Sequence, residues 1–259
     1  MKYKNLIDLI EEIAPTDEFR DIDNSGEQIN VGKEEIDRVL VCLEINEDVI
    51  REAVEKRADM IITHHPLIFN PESMLDCKDY PDRYIIQAIK NNISIYSAHL
   101  SFDFAPKGNN FYLSQLLNLF VNSNGSIDTG YCGQLPEPMT FEQACVHVEA
   151  SLDLPKNYIR CVDGGRDKLV NVGFCTGAGG NYLFDAAKSG CDLFITGDLK
   201  LHEAQYAKAM GMSVIDAGHY GTEKIFTENM AHQLYAKAAD KGLDIDVIMA
   251  ESNTNPYII

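Results

Sequence analysis

Short unbroken apolar runs alternate along this chain with stretches in which apolar residues return every three or four positions. The first rhythm marks buried strands and the second marks helices with one face turned inward. Val39–Leu43, Met60–Thr63 and Ile93–Tyr96 read as strands. Between the first two, Asn46 is placed to cap a helix whose Val49, Ile50, Ala53 and Val54 share a face. Residues 82–91 read as the next helix, and the N-terminal residues, with acids set among apolar positions from Asp8 onward, fit an amphipathic helix rather than a signal peptide. Further on, Thr140-Phe-Glu-Gln143 matches a capping box that opens a helix, and Cys161-Val-Asp-Gly164-Gly165-Arg reads as a turn between strands. Strands alternating with helices predict an α/β fold with parallel or mixed sheets.

The pattern also repeats. Residues 53–63, ending Asp59-Met-Ile-Ile62-Thr63, align without gaps on residues 186–196, ending Asp192-Leu-Phe-Ile195-Thr196. Ser94-Ile-Tyr-Ser-Ala98 then aligns on Ser213-Val-Ile-Asp-Ala217. Two similar α/β lobes are expected, residues 1–125 and 126–259, with the C-terminal segment free to pack back on the first. The polar, Gly/Asn/Ser-rich stretch 121–130 is the expected connection.

Three clusters of chemistry sit just after predicted strands. Ile61-Ile62-Thr63 runs into His64-His65-Pro66, and His99-Leu-Ser-Phe-Asp103 and His219-Tyr-Gly-Thr-Glu223 share a His-x-x-x-carboxylate spacing. In the alignment His219 and Glu223 fall on His99 and Asp103 with one residue of slip, whereas Gly197-Asp198 stands where the first lobe has His64-His65. Open α/β sheets bind ligands beyond the carboxyl ends of their strands, so the clusters are expected to meet in a cleft between the lobes. Imidazole and carboxylate together suit zinc, iron, manganese or nickel. Six such donors exceed the three protein ligands of a single catalytic zinc, which points to two ions about 3.5–4 Å apart, with Asp103 as the bridging carboxylate. His99 is open between ligand, positioning residue and acid–base group. If a helix starts near Thr222, His219 sits at or before its cap, and Ile225, Phe226, Met230 and Leu234 form its buried face.

Other features read as ordinary. His147 and His232 lie on helices as structural residues, while His202 is open between a helix surface and a site wall. Cys175-Thr-Gly177-Ala-Gly179-Gly180-Asn is a phosphate-binding loop or a plain tight turn. It is neither a P-loop nor a dinucleotide fingerprint, because no Gly-Lys-Ser/Thr follows and Tyr182 stands at the third glycine position. Lys107 and Lys200 are the cations nearest the motifs.

Composition narrows the partners. A net charge of −18 over 259 residues argues against duplex nucleic acid, yet bound metal ions can still draw an anionic substrate. Seven dispersed cysteines without a C-x-x-C pair suggest reduced thiols in the cytoplasm. No apolar run reaches membrane-spanning length.

Taken together, several stretches resemble the NIF3-like family, whose members also carry the name GTP cyclohydrolase 1 type 2 homolog. They are Asp23-Asn-Ser-Gly26, Ile61 to Phe69, Tyr96-Ser-Ala-His99 with Asp103 and Ala105-Pro106, Leu135-Pro-Glu-Pro-Met139, Gly177-Ala-Gly179, Ile195-Thr-Gly-Asp-Leu-Lys200, Asp216-Ala-Gly-His-Tyr220 with Thr222-Glu223, and Asn253-Thr-Asn-Pro256. The resemblance covers nearly the whole chain. It implies two similar α/β lobes, a dinuclear metal site between them and a toroidal homohexamer. It implies His64, His65, Asp103, His219 and Glu223 as metal ligands, with His99 close by. The chain departs from the family at Ile22, often Trp, and at Leu100-Ser-Phe, usually Thr-Asn-Leu, so substrate contacts need not be shared.

The activity so implied is hydrolytic opening of the guanine imidazole ring of GTP by metal-bound hydroxide, with His99 as the general acid. A metal-dependent phosphoesterase and a non-enzymatic ring-shaped scaffold or regulator are the alternatives.

Overall fold

The computed structural model describes residues 1–70, 73–121 and 131–257. The connection expected at 121–130 lies outside the described residues except at its first position. In chain order the elements are α1 (Tyr3–Ile13), β1 (Gly26–Ile29), β2 (Arg38–Cys42), α2 (Glu47–Glu55), β3 (Met60–Thr63), α3 (Asp82–Lys90), β4 (Ser94–Ser97) and α4 (Leu100–Asp103). There follow α5 (Asn109–Leu116), β5 (Phe120–Val121), β6 (Tyr131–Met139), α6 (Phe141–Ser151), β7 (Arg160–Val162), β8 (Leu169–Phe174) and, after a 3-10 turn at Gly179–Tyr182, α7 (Leu183–Lys188). The last are β9 (Leu193–Thr196), α8 (Leu201–Ala209), β10 (Ser213–Asp216), α9 (His219–Glu223), α10 (Phe226–Asp240) and β11 (Asp246–Met249).

The chain divides into two compact units. The first comprises Met1–Gly108 and Phe226–Pro256, and the second Asn109–Ile225 with Tyr257. By this division the first unit is built from a segment up to Gly108 together with Phe226–Pro256.

In the first unit the sheet order is β1-β4-β3-β2-β11, with β11, β2, β3 and β4 parallel and β1 antiparallel at the edge. All four residues of β3 and of β4 are buried, as a sheet covered on both faces requires. Asn46 accepts from the Val49 N–H at 2.9 Å, and α2 buries Val49, Ile50 and Ala53. Leu6, Leu9, Ile10 and Ile13 are the buried stripe of α1.

In the second unit the order is β5-β6-β8-β9-β10-β7, with β8, β9 and β10 parallel and β7 antiparallel to β10. Thr140 and Gln143 close the expected capping box at the start of α6.

The duplication extends to single hydrogen bonds. Before β3, Asp59 accepts from the N–H groups of Asp37 and Arg38 at 2.9 and 3.1 Å and pairs with Lys33. Before β9, Asp192 accepts from Val170 and Asn171 at 3.0 and 2.9 Å and pairs with Arg166. Ser94 and Ser213 accept equivalent loop amides, from Val31 and Gly164. Each carboxylate thus fixes the register of two parallel strands at their amino ends, and so places the carboxyl ends where the candidate donors lie.

Candidate metal centre

His64 and His65 follow β3 directly, and His99 precedes α4, whose last residue is Asp103. These four belong to the first unit. The imidazole rings of His64, His65 and His99 lie 4.9–5.5 Å apart between centroids, and one nitrogen of each falls within 4.8 Å of the others. His64 is fully buried, and its Nε2 is 3.6 Å from Asp103 Oδ1.

Each ring is held through Nδ1. His64 Nδ1 donates to the Ala98 carbonyl at 2.9 Å, His65 Nδ1 to Glu44 at 2.7 Å, and His99 Nδ1 to Asp23 at 2.7 Å. Carbonyl and ionised carboxylate oxygens only accept, so the proton sits on Nδ1 and the lone pair on Nε2. That is the tautomer and orientation of a metal-ligating histidine supported by an outer acceptor. Burial pushes the Asp23 carboxyl up, but hydrogen bonds from His99, Ser25 and the Leu100 N–H outweigh it and hold the group below the usual carboxylate range. Asp23 therefore stays ionised behind His99.

The second unit carries His219 and Glu223 on α9. His219 Nε2 is 2.9 Å from Glu223 Oε2, and the Glu223 side chain is only 3% exposed. Here too Nδ1 donates to a carboxylate, Asp198, at 2.8 Å. The helix differs from the expected one. It begins at His219 and ends at Glu223, with α10 a separate helix from Phe226. Gly218 adopts φ +76°, and its carbonyl accepts from both the N–H and the hydroxyl of Thr222, which starts the turn three residues before Thr222. Ile225, Phe226, Met230 and Leu234 are buried as expected.

The glycine loop makes room for this donor pair. Gly177 sits at φ +61°, where a side chain is strained, and a Cβ there would overlap the Glu223 carboxylate. Its N–H donates to Thr222 Oγ1 at 2.9 Å, and that of Gly179 donates to Thr196 Oγ1 at 2.9 Å, so two loop amides are engaged within the chain. Gly197 answers a backbone constraint instead, since a Cβ there would lie 2.5 Å from the His219 backbone nitrogen. A histidine in the place of His64 has no space in this unit.

Of the other histidines, His147 Nε2 bonds the Leu117 carbonyl at 2.8 Å, and His202 is 72% exposed on α8. Lys200 is also exposed, and its backbone N–H is capped by Glu203. The positioning residues Glu44, Asp23 and Asp198 were not singled out from sequence as partners of histidines. Asp23 and Asp198 both lie within motifs that carry the family resemblance, but nothing in the sequence pairs them with histidines.

The donors fit a divalent ion. Imidazole nitrogens with preset lone pairs and nearly buried carboxylates form a mixed N/O set, as zinc, iron, manganese or nickel require. Several His/Asp/Glu groups could hold such ions. No helix among the described residues is long and apolar enough to cross a membrane.

The fold and these donors define a class of two-unit α/β proteins with histidine-rich strand ends. The Duf34/NIF3 (NGG1p interacting factor 3) family profile matches residues 1–256, and the chain belongs to that family. A Clostridium acetobutylicum protein named GTP cyclohydrolase 1 type 2 homolog is 31% identical, with 99% of this chain and 98% of that protein covered. A Helicobacter pylori protein named GTP cyclohydrolase 1 type 2 is 30% identical over 90% of this chain and 91% of its own. Among solved structures, a Staphylococcus aureus hypothetical protein superposes with a TM-score of 0.91 at 26% identity, covering 100% and 99% of the two chains.

Proposed function

We propose that this protein is a cytoplasmic, divalent-metal-dependent hydrolase of the GTP cyclohydrolase 1 type 2 kind, with two ions per chain. His64, His65, Asp103, His219 and Glu223 are the proposed ligands. The observation that carries the reading is shared by His64, His65, His99 and His219: an acceptor-only oxygen holds Nδ1 and leaves Nε2 for a metal or a proton. Names carried by the relatives support the choice of GTP.

Bound divalent ions would supply Lewis acidity and activate water near neutral pH. The chain's own contribution is orientation and proton handling. Asp23 aligns His99 and stabilises the imidazolium formed when Nε2 takes up a proton, which equips His99 to return that proton to a leaving nitrogen. Assembly as a toroidal homohexamer is part of the same proposal and rests on the family. It predicts a solution mass six times the 28.9 kDa of one chain.

The test is formate release from GTP by metal-loaded protein and by Asp103→Ala. The expected result is turnover in the wild type and a loss of at least about 100-fold in the variant. Fully loaded wild-type protein that releases no formate would overturn the assigned reaction.

A further inference from the structure

A cavity of about 380 Å³ opens beside the second donor pair, within the size range of small-molecule sites. Tyr158, Tyr220 and Tyr257 line it together with Arg160, Asp198 and His219. Three aromatic rings, one guanidinium and two carboxylates, Asp198 and Asp216, around a single space form a set that matches a flat, polar-edged ring better than a flexible chain.

The seat for such a ring is built into the backbone. The Tyr158 ring lies against the start of α9: Cβ atoms at Gly218 and Gly221 would meet it at 3.0 and 3.2 Å. The two glycines thus let an aromatic face pack directly on the helix that carries His219 and Glu223. Arg160 is held by the Asp216 carboxylate, which is 2% exposed and also accepts from the N–H groups of Leu199 and Gly218 at 3.2 and 3.0 Å. This fixes a donor in the cavity wall. Asp198, another lining residue, holds His219 with one oxygen and is 57% exposed, which leaves it acceptor capacity for a ligand.

We infer that this cavity is the base-recognition pocket of the protein and takes a guanine-type heterocycle. Tyr158, Tyr220 and Tyr257 supply the stacking surface, Arg160 donates to the ring carbonyl, and Asp198 accepts from the amide-like ring N–H and the exocyclic amine. Adenine presents an amine where guanine has the carbonyl and lacks the ring N–H, so the same groups reject it. Burying a guanine-edge partner without its hydrogen bonds is the costly error on which such discrimination rests. The inference builds on the proposed function, since it places the base next to His219, but it concerns binding rather than turnover.

The experiment is calorimetric titration of the metal-loaded protein with guanosine, adenosine and cytidine, with metal content measured on every sample. The expected result is guanosine binding at least tenfold tighter than either competitor. Tyr158→Ala and Tyr257→Ala should each weaken it at least threefold with unchanged metal content, while Tyr158→Phe retains it. Tyr257 is 73% exposed, so its variant tests the pocket without threatening the fold. Guanosine binding no tighter than cytidine, or binding indifferent to both alanine variants, would overturn the inference. Guanosine binding that holds while GTP releases no formate would sustain the pocket and sink only the reaction proposed above.

Discussion

The two units build one framework and put opposite residues on it. Aligned through Asp59 and Asp192, Glu44 of the first unit corresponds to Gly177 of the second, and His64-His65 to Gly197-Asp198. In the first unit the end of β3 supplies the imidazoles, and a carboxylate beyond β2 orients one of them. In the second unit the end of β9 supplies the orienting carboxylate, Asp198, and the position beyond β8 is emptied to a glycine so that Glu223 has space. The donors themselves move onto α9. Aligned by their caps, His99 matches Gly218 and Asp103 matches Thr222, so His219 and Glu223 sit one residue further along, a rotation of about 100° around a helix axis. Duplication therefore preserved the strand framework while the roles of donor and supporter were exchanged between positions.

Filling the emptied position at Gly177 should have the largest effect. Gly177→Val adds a branched side chain at φ +61° that overlaps Glu223, and we expect a loss of about 4 kcal/mol from strain and overpacking. Denaturant melts check it, and unchanged stability would show that the glycine has no such role.

Next come the two register carboxylates. Asp59→Ala and Asp192→Ala each strand two backbone N–H groups and a cation, and each should cost about 3 kcal/mol. Equal costs sharpen the framework claim; a difference above about 2 kcal/mol would deny the equivalence.

The smallest effect separates the units at Glu52 and its counterpart Asp185. Burial pushes the Glu52 carboxyl up, but hydrogen bonds from Lys56, Ser252 and the N–H groups of Glu251 and Ser252 bring it down to about 2. These bonds tie the returning C-terminal segment to α2. Because the folded pKa is depressed, the stabilisation is complete above the unfolded carboxylate value and is lost as pH falls from about 4.5 towards 2. At pH 7 Glu52→Gln should cost about 2 kcal/mol, and the gap between variant and wild type should close through that acid window. Asp185, 41% exposed and paired only locally with Lys188, should change stability by less than about 0.5 kcal/mol as Asp185→Asn. A Glu52→Gln gap that persists at pH 2 would contradict the assignment.

Much of this was legible in residues that act locally. The strand β3 emerges from its four apolar and β-branched residues, Asn46 and Thr140 announce their caps, and Asp59 and Asp192 stand at equal distances before matching strands. What was not legible depends on chain neighbours far apart in sequence. Asp23 meets His99 across 76 residues, and Glu44 meets His65 across 21. No periodicity encodes such pairs. The antiparallel edge β1 is not legible because a partly exposed edge strand of four residues lacks a continuous apolar run, whereas β7 is marked only by the turn that follows it. The sequence puts the start of α9 too late because Gly218, the residue that bends the chain, reads locally as a helix breaker.

If these exchanged roles serve metal binding, elemental analysis will find divalent metal on the chain. Protein purified without chelator and then loaded with zinc, iron, manganese or nickel should hold close to two ions per chain. A chain that retains none of these metals under any loading condition would contradict the account.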